Sequence, residues 1–354
     1  MLCYNATADL VAVPPADPRV TNAVGLALYQ LYIYAGVPTV IANAICILVF
    51  VSKQKLRIKY PLFATLAVGD LLNGLGMLLA GIFRTRLILN SDYNRRTSFE
   101  CLRNPWPHFY IIGGQLSSFI LFIMGIERIF AVFQPIKYKK YATLRLRLTV
   151  IAQASLIAFI SLLIGYLCSF LNSDQCVIAI CSISNTTGRP YSNYNYVIVI
   201  GLPIVALILN IITFIRAKRS MIQSRMQREW HRVQLTLAVC TCSVALIAIP
   251  NFLLWGYGRY WDLAIMPYLF IAFCCYSGVN LLVYFIMKKD FRYQLLMLLS
   301  FGWIKTGAVS KKSDMRLIQI QPTEGMPTVN ELSPASAATN RFSFSAPFPA
   351  TTKF

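Results

Sequence analysis

The sequence predicts an all-α membrane protein: a seven-transmembrane helix bundle with a short amphipathic eighth helix. Three observations carry that prediction. Hydrophobic residues fill 57% of the 354 positions and charged residues only 13%, about half the ~25% of a soluble domain. Apolar runs long enough to cross a bilayer, ~20 residues each, recur seven times. The 33 Lys and Arg, against 13 Asp and Glu for a net charge of +20, gather in the loops between those runs. Such loops set orientation and face anionic lipid. No soluble face collects the charge, so nucleic-acid binding is excluded as the reading.

Residues 1–25 form an N-terminal tail, polar at first and with Pro14, Pro15 and Pro18. It lacks a basic region followed by an apolar core, so span one is expected to be its own insertion signal. Residues 26–300 form the helical domain. Span one, about Leu26–Val51, is apolar except for Asn43, and a basic loop of Lys53, Lys55, Arg57 and Lys59 follows. Span two, about Pro61–Phe83, carries Asp70. A lone carboxylate within a span marks either a functional site or a hydrogen-bond anchor between helices. Gly69, Gly74 and Gly76 allow close helix approach there.

Span three, about Pro107–Ala131, holds Gln115, Ser117 and Ser118 and closes on Glu127-Arg128. Each charge inside hydrocarbon costs roughly 2.5–3.5 kcal/mol, so such a pair persists where it pairs, reaches water or does a job. Pro135 and the basic run Lys137, Lys139 and Lys140 come next, then span four, about Leu146–Phe170. Span five, about Tyr194–Ile215, contains Pro203, and span six, about Val233–Tyr257, contains Pro250. A proline inside a span removes one backbone hydrogen bond and favours a kink. Span seven, about Leu263–Met287, carries Asn280 and Tyr284 near its end. Beyond it, Phe291, Leu295 and Leu298 fall at i, i+4 and i+7, the spacing of a helix lying on a membrane surface. Residues 301–354 are rich in Ser, Thr and Pro and are expected to be a disordered cytoplasmic tail.

Charge sets the expected orientation. The loops after spans one, three and five, and the start of the tail, are basic and nearly free of acids, which places them in the cytoplasm and the N-terminus outside the plasma membrane. The glycosylation sequons at Asn5 and Asn185 then both fall outside. The stretch from Arg84 to Arg103 also falls outside, although it holds five arginines against Asp92 and Glu100. It is either a tolerated exception to a statistical rule or an attractor for an anionic ligand or glycan. Ten cysteines are scattered without a CxxC pair, and the two histidines, His108 and His231, lie far apart in the sequence, so no metal cluster is visible. The spans carry no paired aspartates, HExxH or Ser/His set, which argues against an intramembrane enzyme. A transporter of a small solute is the alternative to a receptor, but no internal repeat or matched interrupted helices mark it.

The motifs resemble the rhodopsin-like (class A) G-protein-coupled receptors over residues 26–300. Asn43 is similar to that family's first-helix Asn, and Leu66-Ala67-Val68-Gly69-Asp70 to its LAxxD. Glu127-Arg128-Ile129 resembles D/E-R-Y, with Ile for Tyr, and Ala131-Val132-Phe133-Gln134-Pro135-Ile136-Lys137-Tyr138 resembles AVxxPxxY. Asn280-Leu281-Leu282-Val283-Tyr284 resembles NPxxY, with Leu for Pro, and Pro203 and Pro250 match the helix-five and helix-six prolines. The Trp of helix four is absent, and the helix-six CWxP reads Ile247-Ala248-Ile249-Pro250. These relaxed motifs look most like the nematode serpentine chemoreceptors of class SX.

The resemblance implies a receptor, chemosensory in kind, that passes an extracellular small-molecule or peptide signal to a heterotrimeric G protein. Glu127, Arg128, Pro135, Tyr138, Asn280 and Tyr284 would form its coupling switch, with Arg128 paired to Glu127 and to Glu229, and Pro203 and Pro250 would be hinges. Asn43, Asp70, Ser117 and Asn280 would form a polar core site that holds either a sodium ion or a water network. Tyr110, Gly114, Asn251, Trp255, Met266 and Phe270 would line the ligand pocket. Tyr110 stands where amine receptors carry Asp, which disfavours an amine and favours a small apolar ligand or a peptide terminus. Cys101 would form a disulfide with Cys176 or Cys181. Ser333, Ser336, Ser343 and Ser345 are candidate phosphorylation sites for an arrestin-like partner.

Overall fold

A computed structural model describes residues 18–90, 96–173, 176–177, 181, 183–219, 227–257 and 266–300. All lie in the compact unit Met1–Ile304. The tail from residue 301, Asn5 and the side chains of Glu229, Met266 and Phe270 lie outside the described residues.

The chain folds as an all-α bundle. Helix α1 (Pro18–Ser52) is followed by a short α2 (Gln54–Lys59) and by α3 (Pro61–Leu89). A two-residue strand β1 (Arg96–Thr97) and a short α4 (Ser98–Leu102) precede α5 (Pro105–Phe133). Then come α6 (Pro135–Tyr141), α7 (Leu144–Leu171), strand β2 (Cys176–Val177), α8 (Ile183–Thr187) and α9 (Arg189–Arg219). The last helices are α10 (Gln227–Ser243), α11 (Ile249–Tyr257), α12 (Met266–Met287) and α13 (Lys289–Leu299).

Six helical stretches are long and apolar enough to cross a membrane. The seventh, α12, has 22 residues, ~33 Å at 1.5 Å per residue, against ~30 Å of hydrocarbon. Two boundaries differ from the sequence expectation. Helix α1 begins at Pro18, inside the expected tail, because proline is well suited to a first helical turn, where its absent N–H is not needed. Helix α3 runs on to Leu89, past the expected end at Phe83, and so takes in Arg84.

Helix α5 is central, packing on α3, α7 and α9, while α1 and α12 close the ring beside α3. Close approach of α3 and α5 rests on two glycines. A Cβ on Gly69 would sit 2.4 Å from Ser117 Oγ, and one on Gly113 only 2.8 Å from both Gly69 O and Asn73 N. Helix α7 buries the small stripe Ala154, Ala158, Ser161 and Gly165 and exposes Leu156, Phe159, Leu163 and Leu167. Small residues inward and large apolar ones outward suit a helix that meets lipid.

Span six is interrupted. A π-helical turn, Val244–Ala248, separates α10 from α11 just ahead of Pro250. Pro250 has no N–H for the carbonyl four residues back, and a wider turn accommodates its ring. Pro203, by contrast, lies buried within a continuous α9.

At one end of the bundle β1 pairs antiparallel with β2, and Cys101 is bonded to Cys181. Of the two candidate partners, Cys181 is therefore the one used. A capping box of Thr97 and Glu100 starts α4 there. At the other end α13 docks on the bundle through Phe291, Gln294 and Leu295, with Gln294 Nε2 donating to Ser52 Oγ at 2.9 Å. Leu298, expected on the same stripe, is exposed.

Candidate functional site

Three sites stack along α5 from the disulfide end to the basic end. The first is a cavity of about 180 Å3. Its wall at the disulfide end is Arg84, Trp106 and Ile183, with Tyr110, Gly114 and Asn251 further along. Asn73, Asn195 and Tyr196 add polar groups, and Ser117, Ser243 and Tyr276 line the wall deeper in the bundle. Asn195 is oriented by Gln115, whose Nε2 donates to its Oδ1 at 2.9 Å. Of the residues expected to hold a ligand, Tyr110, Gly114 and Asn251 line this space. Trp255 stands apart, 46% exposed, with its indole N–H donating to Asn193 Oδ1 at 3.0 Å.

The second site lies directly beneath. Asp70, buried on α3, accepts from Ser117 Oγ through Oδ1 and from Asn280 Nδ2 through Oδ2, each at 2.9 Å. Ser117 thus faces both ways, lining the cavity and bonding the carboxylate. A buried carboxylate needs such donors, since leaving its lone pairs unmet costs several kcal/mol. Asn43 is also buried, but its Nδ2 donates to the carbonyl of Thr39 at 2.9 Å rather than to Asp70. Asn43 Oδ1 and the Tyr284 hydroxyl are buried with no hydrogen-bond partner among the described residues. An amide carbonyl oxygen and a hydroxyl are donors of the kind that a hard cation or a bridging water takes. Tyr284 is wedged among Phe50, Phe63 and Phe291, with ring centroids 5.4–5.7 Å apart, which ties α12 to α1, α3 and α13.

The third site is an ion-pair cluster at the basic end. Glu127 Oε2 meets Arg128 at 2.9 Å, and Oε1 meets Arg147 at 2.6 Å. The Tyr138 hydroxyl donates to Glu127 Oε1 at 2.8 Å and accepts from Arg147 Nη2 at 2.9 Å. Pro135 opens α6, which carries Tyr138 into place. Burial pushes the Tyr138 hydroxyl above its ordinary pKa, so it remains a donor at neutral pH. One carboxylate therefore clamps Arg128 while α6 and α7 hold that carboxylate.

Around this cluster sits further positive charge. Lys59 pairs with Asp290 at 3.2 Å. Burial first, then the charges of Arg232, Lys59 and Arg128, push Lys288 down to about 8.

Two functional positions escape sequence reading. Arg147 sits in the alternating run Leu144-Arg145-Leu146-Arg147, where arginines read as topology signals. Arg84 reads as the first residue of a loop, but the extra turns of α3 bury it. Asn185 lies in α8, and its side chain and that of Cys176 are outside the described residues.

Six membrane-length apolar helices and the 22-residue α12, packed in this order around a polar core at Asp70, make this a serpentine multi-pass membrane protein. Residues 37–299 match the family model described as serpentine type 7TM GPCR chemoreceptor Srsx, and the chain belongs to that family. None of the curated proteins compared with it matches.

Proposed function

We propose that this chemoreceptor binds a small extracellular molecule in the cavity at its disulfide end and promotes nucleotide exchange on a heterotrimeric G protein at its basic end. The observation that carries this is Ser117. The same side chain lines the cavity and donates to Asp70, so an occupant that disturbs it perturbs the bonds among α3, α5 and α12 at once. A ligand shifts a two-state bundle only by its differential affinity for the two states, and a residue shared by cavity and core supplies that difference.

The resting state is the clamped one, with Arg128 held by Glu127. In the active state span six swings about the π-turn and Pro250, Arg128 leaves Glu127, and the basic end opens to the G protein. The disulfide end faces outward, because Lys53, Lys55, Arg57, Lys137, Lys139, Lys140, Arg216 and Lys218 all belong to the other end. A sodium ion or bridging water at Asp70 would steady the resting state, glycans would sit on Asn5 and Asn185, and an arrestin-like protein would read the phosphorylated tail.

Ligand-dependent nucleotide exchange in membranes expressing the full chain tests the reading. Arg128→Ala is expected to abolish exchange while surface expression persists. Ligand-driven solute uptake that survives in Arg128→Ala would replace the receptor reading with transport.

A further inference from the structure

Two hydroxyls at the deep end of the cavity serve no hydrogen bond of the fold. Ser243 Oγ and the Tyr276 hydroxyl belong to residues that line this space and are 0% and 1% exposed. Neither has a hydrogen-bond partner among the described residues. The Tyr276 hydroxyl stands beside Ser243 and Asn280 without reaching hydrogen-bond geometry with either. A buried hydroxyl left unmet is a cost to the folded state. Two of them side by side at a cavity wall point to an occupant that supplies the partner. At the opposite end the indole N–H of Trp106, another lining residue, is buried and unmet in the same way. All three groups can donate, and the indole can do nothing else. The complement of such a wall is an acceptor.

The rest of the wall bears on charge. Among the described residues lining the cavity no Asp or Glu occurs, so a ligand ammonium would find no counter-charge there. Arg84 is already engaged as part of the wall. Its guanidinium carbon lies 4.6 Å from the Trp106 ring centroid and 5.5 Å from that of Tyr29, and Nη2 donates to the Cys181 carbonyl oxygen at 3.4 Å. Leu121, Val199, Ile247 and Leu254 supply apolar surface. An uncharged molecule with an oxygen acceptor and an apolar body fits this lining. A carbonyl oxygen has two lone pairs and can accept from both hydroxyls at once. The position of those hydroxyls also matters. Ser243 immediately precedes the π-turn of span six, and Tyr276 lies one helical turn before Asn280, whose amide donates to Asp70. An oxygen held by both would tie span six to α12 beside the hinge.

We infer that the cavity recognises an uncharged carbonyl compound, its oxygen accepting from Ser243 and Tyr276 and its apolar body lying against Leu121, Val199 and Ile247. This deepens the receptor reading and rests on it only in treating the cavity as the ligand site.

The test is binding to the purified full-length protein, read by ligand-induced change in melting temperature. The probes are sets matched in shape: acetophenone, α-methylbenzyl alcohol, ethylbenzene, α-methylbenzylamine and benzoate; and cyclooctanone, cyclooctanol, cyclooctane and cyclooctylamine. At least one ketone is expected to bind about tenfold more tightly than its own hydrocarbon, which cannot replace the hydrogen bonds of a water it displaces. Its alcohol is expected to fall between the two. Tyr276→Phe and Ser243→Ala are each expected to shrink that ratio, and the double variant to erase it. Neither substitution is expected to lower the melting temperature of the unliganded protein, because neither hydroxyl has a partner to lose. Infrared spectra of the parent give a measurement independent of any variant: the carbonyl stretch of the bound ketone is expected below its value in hydrocarbon solvent. The inference is overturned if no ketone outperforms its hydrocarbon, if a charged probe binds most tightly, if the ratio survives the double variant, or if the bound stretch is unshifted. A lower melting temperature or a loss of folding in Tyr276→Phe would mean that its hydroxyl already has a partner, and would overturn it too. Ketone binding without nucleotide exchange would sink the receptor reading and leave this site standing; exchange driven by a ligand without an oxygen acceptor would do the reverse.

Discussion

Glu127 shows how much one side chain can organise. Its two oxygens serve three partners on α5, α6 and α7, so neutralising it loosens all three at once. Glu127→Gln is expected to raise ligand-independent nucleotide exchange on the order of tenfold, the weight of losing a charge-assisted pair. Tyr138→Phe, which removes one donor and no charge, is expected to raise it only a few-fold. Comparing basal exchange of the two variants at equal surface density checks this.

Lys288 acts in the opposite sense, as a built-in cost. Its folded pKa lies near 8, below the 10.5 of a free lysine. Between those values the unfolded chain holds a proton that the folded chain has released, so stability rises with pH across that window. Below pH 8 the penalty is present in full. Lys288→Gln is expected to melt above the parent at pH 7, and the gap is expected to narrow by pH 9.5. A gap that widens with pH would contradict the assignment.

At the scale of elements, helix contact in the bundle depends on missing atoms. Gly113 meets backbone atoms of α3 at 2.8 Å from where a Cβ would stand, and backbone cannot rotate aside. Gly113→Ala is expected to cost ~1–3 kcal/mol, the usual penalty of overpacking, and to lower the melting temperature. Gly201, on α9, has nothing within 4 Å of the same position. Gly201→Ala is expected to be neutral or to stabilise by up to ~1 kcal/mol through helix propensity. The paired measurement separates packing from propensity.

Across the whole molecule, the disulfide end and the basic end are joined by α5, which carries Trp106, Ser117 and Arg128 in turn. The Cys101–Cys181 bond spans 80 residues and holds the loop that carries the Cys181 carbonyl beside Arg84. Bridges over long loops typically contribute ~2–4 kcal/mol. Cys101→Ser and Cys181→Ser are expected to reduce surface expression and ligand binding alike, and Cys176→Ser to leave both near the parent. Equal loss in all three would mean that the second cysteine of the loop also matters to folding.

The number of spans, their order, the charge asymmetry of the loops and the Glu127-Arg128 pair were all legible from residue order. Each is a local property: hydrocarbon thickness sets the length of an apolar run, and a charge announces itself wherever it falls in one. Arg84, Arg147 and the choice of Cys181 were not legible. A guanidinium near a helix end reads the same in sequence whether it faces water or an indole ring, and two cysteines in one loop are equivalent until a fold brings one of them to 5.4 Å, Cα to Cα, from Cys101. What composition and periodicity determined was that the chain crosses a membrane and how often. Only the packing of α3 against α5 and α1 decided which charges were buried together, because burial depends on neighbours that lie far away along the chain.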